Sequence, residues 1–150
     1  MNKNKIVRIA VIDGQGGGIG AQIVNRLSVS LPASKAEILA LGTNSLATRR
    51  MYKAGANDAA SGENAIIYNT KLAGIILGTV GMITPFGFNG EMTTAAAEAV
   101  ALSPAPKLVL HLNRSGIEVI GSAAEPLPHL VDMMVDRVRQ MLDLTPLRQQ

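Results

Sequence analysis

Neither cysteine nor tryptophan occurs among the 150 residues. The first absence excludes disulfides, thiolate catalysis and Cys-ligated metals. Only His111 and His129 offer imidazole, and no HxxxH or HExxH spacing is present, so no metal site is expected. Aromatic residues make up 3% of the chain while 47% is hydrophobic, so the core is aliphatic and surfaces for stacking bases are scarce. That poverty speaks against single-stranded nucleic acid. Charge of one sign masses nowhere: 14 basic and 11 acidic residues are scattered, leaving a net +3 and no nucleic-acid footprint. No signal-like segment precedes the first apolar run, which makes the cytoplasm the expected compartment. The one long uncharged stretch, Leu72 to Phe88, is broken by glycines, Thr79, Thr84 and Pro85. It reads as a buried strand and a loop rather than a membrane helix, and no membrane partner is expected.

Glycine, by contrast, is plentiful, and five of the 15 glycines fall between positions 14 and 20. The run from Ile6 to Val24, IVRIAVIDGQGGGIGAQIV, is an apolar strand, a glycine corner and the opening of a helix. Backbone without Cβ atoms can lie flat against a phosphate, and the loop amides and helix N-terminus both favour an anion there. Gly16, Gly18 and Ala21 fit the dinucleotide pattern GxGxxG/A, while Gly14, Gly18 and Gly20 fit GxxxGxG. Gly18 belongs to both, so the closest approach to a phosphate is expected there. No lysine and no Ser or Thr follow in the manner of a GxxxxGK[ST] loop, so ATP hydrolysis by that route is not expected.

Apolar segments alternate with helical ones, the pattern of a sheet covered on both faces. Strands are predicted near Ile6 to Ile12, Glu37 to Leu41, Gly74 to Leu77 and Lys107 to Leu112, with a minor one near Asp58 to Ala60. Ile117 to Ile120 is predicted as a last strand, antiparallel to its predecessor across a turn of Asn113 to Gly116. Helices are predicted over Ile19 to Ser30, Leu46 to Ala54, Glu63 to Leu72, Thr94 to Leu102 and Pro126 to Leu142. The fold class is therefore α/β: one Rossmann-like three-layer domain over residues 1–150, with a mostly parallel sheet, a C-terminal antiparallel hairpin strand and a C-terminal helix.

Ligands of open α/β sheets bind beyond the carboxyl ends of the strands. Candidate binding residues there are Asp13, Gly14, Gln15, Gly16, Gly17, Gly18, Ile19 and Gly20, then Thr43 and Asn44 after the second strand. Thr79 and Asn89 come from the long loop after the third main strand, and Asn113 and Arg114 from the end of the fourth. Asp13 and Glu91 are the candidate catalytic acids. Asp13 either holds the turn by accepting from loop amides or meets the ligand. Glu91 either complements a helix dipole or serves as ligand contact or general base. Arg114 is either an anion ligand or a solvated turn residue. The second strand ends in Gly42, Thr43 and Asn44, with no carboxylate for the ribose hydroxyls, so any dinucleotide preference is expected to be weak or toward NADP. Arg49 or Arg50 either meets a 2′-phosphate or is merely solvated. Tyr68 and Lys71 have YxxK spacing, not the YxxxK of short-chain dehydrogenases. His111, in an apolar strand, reads as a hydrogen-bonded core residue and His129 as a surface one.

The order VIDGQGGGIG, LALGTNSLAT, AGANDAASGENAI, GTVGMITPFGFNGEMT and LVLHLNR resembles a family of short bacterial Rossmann-type proteins catalogued as a domain of unknown function. The resemblance spans nearly the whole chain. It implies the fold, a nucleotide-type glycine loop and a small stand-alone protein, and it brings no reaction or catalytic residue. The expected ligand is NAD(P) or another nucleotide. The expected role is a small oxidoreductase, a non-catalytic sensor or accessory subunit, or a sugar-phosphate or nucleotide-processing enzyme. A homodimer or higher homo-oligomer is expected as well. The last helix shows Leu127, Leu130, Val131, Met134, Val138, Met141 and Leu142 on one stripe, with Met133 and Val135 outside it.

Overall fold

The computed structural model describes residues 5–112 and 116–147. Five strands form one sheet: β1 (Val7–Asp13), β2 (Ala36–Gly42), β3 (Asp58–Ser61), β4 (Ile75–Thr79) and β5 (Lys107–Leu110). Their spatial order is β3-β2-β1-β4-β5, and every pairing is parallel. The helices are α1 (Gly18–Ser30), α2 (Ser45–Lys53), α3 (Glu63–Thr70), α4 (Thr94–Leu102) and α5 (Leu127–Met141), with a 3-10 turn at Val80–Ile83.

The two-residue period of a strand explains the layering. In β1, Ile9 and Val11 point into one core with Ile23, Val24, Leu27, Met51 and Val135, under α1, α2 and α5. Ala10 and Ile12 point into the other with Ile66, Met82, Ala96 and Val100, under α3 and α4. Both faces of β1 are thereby dry, as its uninterrupted apolar run requires. The helix starts follow local chemistry. Asn44 accepts from the Ala47 amide to cap α2, and Thr93 accepts from Ala96 to cap α4. No described helix is long and apolar enough to cross a membrane, and Leu72 to Phe88 is divided between β4, the 3-10 turn and a loop.

The chain reverses its direction of sheet growth at β1: β2 and β3 extend to one side, β4 and β5 to the other. This opens a crevice outside the carboxyl ends of β1 and β4. Asp13, Gln15, Ile19, Thr79 and Asn89 gather around that point.

Two expectations are corrected. Ile117 to Ile120 is not a strand, and the described sheet has no antiparallel member. Gly116 and Gly121 on either side hold left-handed φ of 69° and 91°, Ile120 is 88% exposed, and Val119 accepts from Ser122 in a local turn. The segment makes this local turn instead of pairing with β5, which itself ends at Leu110. The second correction concerns α5, where Val135 is fully buried among the core residues and does not belong to a second apolar face. Its neighbour Met133 remains 53% exposed.

Candidate functional site

Asp13 is the last residue of β1, only 6% exposed, and it organises the glycine loop. Its Oδ1 accepts from the Gly14 amide at 2.8 Å and its Oδ2 from the Gly20 amide at 2.7 Å. The side chain thus closes the loop upon itself and supplies the N-terminal cap that α1 lacks from its own flank. Of the two readings open for Asp13, turn-holding is the one the hydrogen bonds realise. Gly20 permits this closeness, since a Cβ there would stand 2.8 Å from the Asp13 Cβ and 2.5 Å from the Met51 sulfur. Gly17 makes the corner, with φ of 71° and a would-be Cβ 2.7 Å from the Ala47 Cα.

The remaining loop amides divide into used and unused. Gly17 donates to the Gly14 carbonyl, and Gln15 donates to Glu91. The amides of Gly16, Gly18 and Ile19 have no hydrogen-bond partner among the described residues. Above them lies Arg50, whose Nη1 donates to the Gly16 carbonyl at 3.3 Å and stands 3.4 Å from the position a Gly18 Cβ would occupy. Gly18 and Arg50 line one cavity and Ile19 a neighbouring one, and unused donors beside a guanidinium can receive an anion.

Glu91 arrives from the long loop between β4 and α4. Its Oε1 accepts from the Gln15 amide at 2.9 Å, the Thr43 hydroxyl at 2.7 Å and Asn44 Nδ2 at 2.7 Å. Asn44 also donates to the Gln15 carbonyl, so the glycine loop, the end of β2 and the long loop share one hydrogen-bonded node. The long loop is built to reach it. Phe86 donates to Met92, Met92 to Gly87, Gly90 to Phe86 and Glu91 to Phe88, all through backbone amides. Phe86, Phe88 and Asn89 hold left-handed φ between 57° and 63°, a conformation costly for side-chain-bearing residues and kept only where surrounding contacts enforce it. The buried Phe88 ring is one such contact, lying over Gly14 and Gly81.

Of the residues picked from the sequence, Gly14 to Gly20, Thr43 and Asn44 do assemble with Asp13 and Glu91. Thr79 and Asn89 line a neighbouring cavity of about 110 Å³ with Asp13, Gln15, Ile19 and Leu112, at the crevice between β1 and β4. Asn113 and Arg114 lie outside the described residues. Arg49 and Arg50 are both exposed on α2, and only Arg50 reaches the glycine loop, through the Gly16 carbonyl. Phe88 carried no such signal. His111 has both ring nitrogens buried without a partner among the described residues, away from this node on an apolar groove beside β5, so the expected hydrogen bond is absent there. His129 pairs with Glu125 at 2.6 Å on the surface. Among the described residues no three His, Asp or Glu groups stand close enough to hold a metal ion.

The two acids titrate in opposite directions from their ordinary ranges. Burial pushes Asp13 up, opposed by the Gly20 and Gly14 amides, and the nearby Glu91 charge adds to the rise. For Glu91, partial desolvation favours the neutral acid, but the Thr43, Gln15 and Asn44 donors outweigh it and hold the carboxyl low. The linkage signs follow. Ionising Asp13 costs the folded state relative to the unfolded chain, so its contribution to stability falls as pH rises from the ordinary aspartate range through its raised value. Glu91 contributes stability that is present above the ordinary glutamate range and is lost as pH falls through its depressed value. Carbon NMR titration is expected to show Asp13 above and Glu91 below their usual ranges; the reverse shifts would contradict the hydrogen-bond pattern described.

A comparison with the curated proteins matches none of them. The glycine corner, the end of β2, the long loop and the whole of α5 fall within one continuous family match, residues 8–143, and on that span the chain belongs to the family described as Domain of unknown function (DUF3842).

Proposed function

We propose that residues 1–150 act as one Rossmann-like domain that binds a nucleotide or dinucleotide of the NAD(P) type through the glycine loop. The observation that carries this reading is the set of three unpartnered amides, Gly16, Gly18 and Ile19, at the N-terminus of a 13-residue helix, with Arg50 beside Gly16 and Gly18. Their position beside the point where strand order reverses is where α/β sheets take such ligands. The phosphate rests on the amides and the guanidinium, while the cavity lined by Thr79 and Asn89 receives an adjoining part of the ligand.

A binding role is favoured over catalysis by what the two acids already do. Both oxygens of Asp13 are taken by loop amides, and three donors fix one oxygen of Glu91. Asp13 cannot shuttle a proton without loosening the loop it holds, and Glu91 keeps only its exposed Oε2 for such a role. A nucleotide sensor or accessory subunit fits this better than a stand-alone oxidoreductase, which would need a proton donor from elsewhere. Assembly into a homo-oligomer now rests on the apolar groove of about 500 Å³ between β5 and α5, where Met133, Val109 and Val119 remain exposed.

Native mass spectrometry of protein purified from cells tests both parts at once. The expected spectrum shows a dimer or larger species and a co-purifying or added nucleotide retained by each chain. A monomer at micromolar concentration removes the assembly, and failure to retain NAD, NADP, ADP or ATP at millimolar concentration removes the nucleotide reading.

A further inference from the structure

The second strand brings no carboxylate to its carboxyl end, yet the folded chain has one there. Thr43 directly follows β2, and its hydroxyl, with Asn44 Nδ2 and the Gln15 amide, fixes Glu91 Oε1 at 2.7, 2.7 and 2.9 Å. Three donors on one oxygen leave the carboxylate little freedom to rotate. The other oxygen, Oε2, has no partner among the described residues, and the side chain is exposed. A pinned negative charge with one open oxygen, between the glycine loop and the end of β2, is complementary to a neutral pair of hydroxyl donors. It is repelled by a phosphate.

This chemistry is that of a ribose with free 2′- and 3′-hydroxyls next to a phosphate held by the loop. We propose that Glu91, delivered from the β4–α4 loop, selects such a ribose and so favours NAD over its 2′-phosphorylated counterpart NADP. The inference rests on the nucleotide reading above, and it reverses the preference expected from the β2 sequence. The loop's own construction supports it: the left-handed Phe86, Phe88 and Asn89 and the internal backbone bonds hold Glu91 at this one place, which a solvated surface acid would not require. Arg50 does not reverse the sign, because its guanidinium lies against Gly16 and Gly18 and not at the Glu91 node.

Calorimetric titration of NAD and NADP into the wild-type chain and Glu91→Gln decides the matter. Glutamine keeps an acceptor oxygen for Gln15, Thr43 and Asn44, removes the charge and puts an NH₂ donor in place of the open Oε2. Wild type is expected to bind NAD at least about tenfold more tightly than NADP, and the variant to lose most of that ratio, chiefly by accepting NADP better. Equal binding of the two by wild type, or an unchanged ratio in a folded variant, overturns the role of Glu91 and leaves the glycine-loop site standing. Binding of neither dinucleotide by wild type overturns the nucleotide reading and this inference with it. Should a melting curve show that Glu91→Gln does not fold, the wild-type ratio alone decides.

Discussion

Gly18→Val is expected to abolish nucleotide binding while leaving the protein folded. Gly18 is the first residue of α1, its amide is one of the three without a partner, and a Cβ there would meet nothing closer than the Arg50 guanidinium at 3.4 Å. Its φ is not left-handed; that conformation falls to Gly17, so valine at 18 brings no backbone strain. The fold should lose less than about 1 kcal/mol, the ordinary cost of a β-branched residue in a helix. The ligand fares differently. Two methyl groups over the Gly18 and Ile19 amides occupy the place of a phosphate oxygen and push the guanidinium aside, so affinity should fall by roughly a hundredfold or more. Circular dichroism and melting beside titration of NAD check both halves. A folded variant that binds as well as wild type would reduce the glycine loop to a turn.

Replacing Asp13 should have the opposite signature, damaging stability first. Alanine leaves the Gly14 and Gly20 amides without acceptors at a buried corner, while asparagine leaves one acceptor and turns an NH₂ group toward the other amide. Removing the buried charge returns some desolvation cost, since burial is the main reason the Asp13 pKa is raised. The unmet amides outweigh it, because a buried donor without a partner costs about 1–3 kcal/mol and hydrogen bonds to a charged group are the strong ones. The expected order of stability is wild type, then Asp13→Asn, then Asp13→Ala, the last lower by roughly 2–4 kcal/mol. Chemical denaturation measures it. An asparagine variant as stable as wild type would show that the loop does not depend on Asp13, and the account of how it is held would fail.

The strand, the glycine corner and the helix behind it were legible because each is local chemistry. Apolar runs at β1 and β4 demand cover on both faces, glycines permit the tight corner, and Asn44 and Thr93 cap the helices that follow them. The fold class and the glycine half of the site follow from these. The hairpin did not, because Ile117 to Ile120 is apolar like a strand but lies in a local turn between two left-handed glycines, and an apolar run carries no information about a partner. Val135 escaped the helical stripe for a similar reason: the width of a buried face is set by the layers against it, here β-sheet and α1 together. Most of the node around Glu91 is tertiary. Glu91 lies 47 residues from Asn44 and 76 from Gln15 along the chain. No local pattern links them, since their meeting depends on the reversal of strand order at β1 and on a loop that bends back through four residues of left-handed φ, Phe86, Phe88, Asn89 and Gly90. The sequence alone therefore determined the glycine corner between β1 and α1, and only the tertiary structure decided which side chains stand around it, because a glycine turn is encoded by its own residues and a convergence of loops by the topology of the whole sheet.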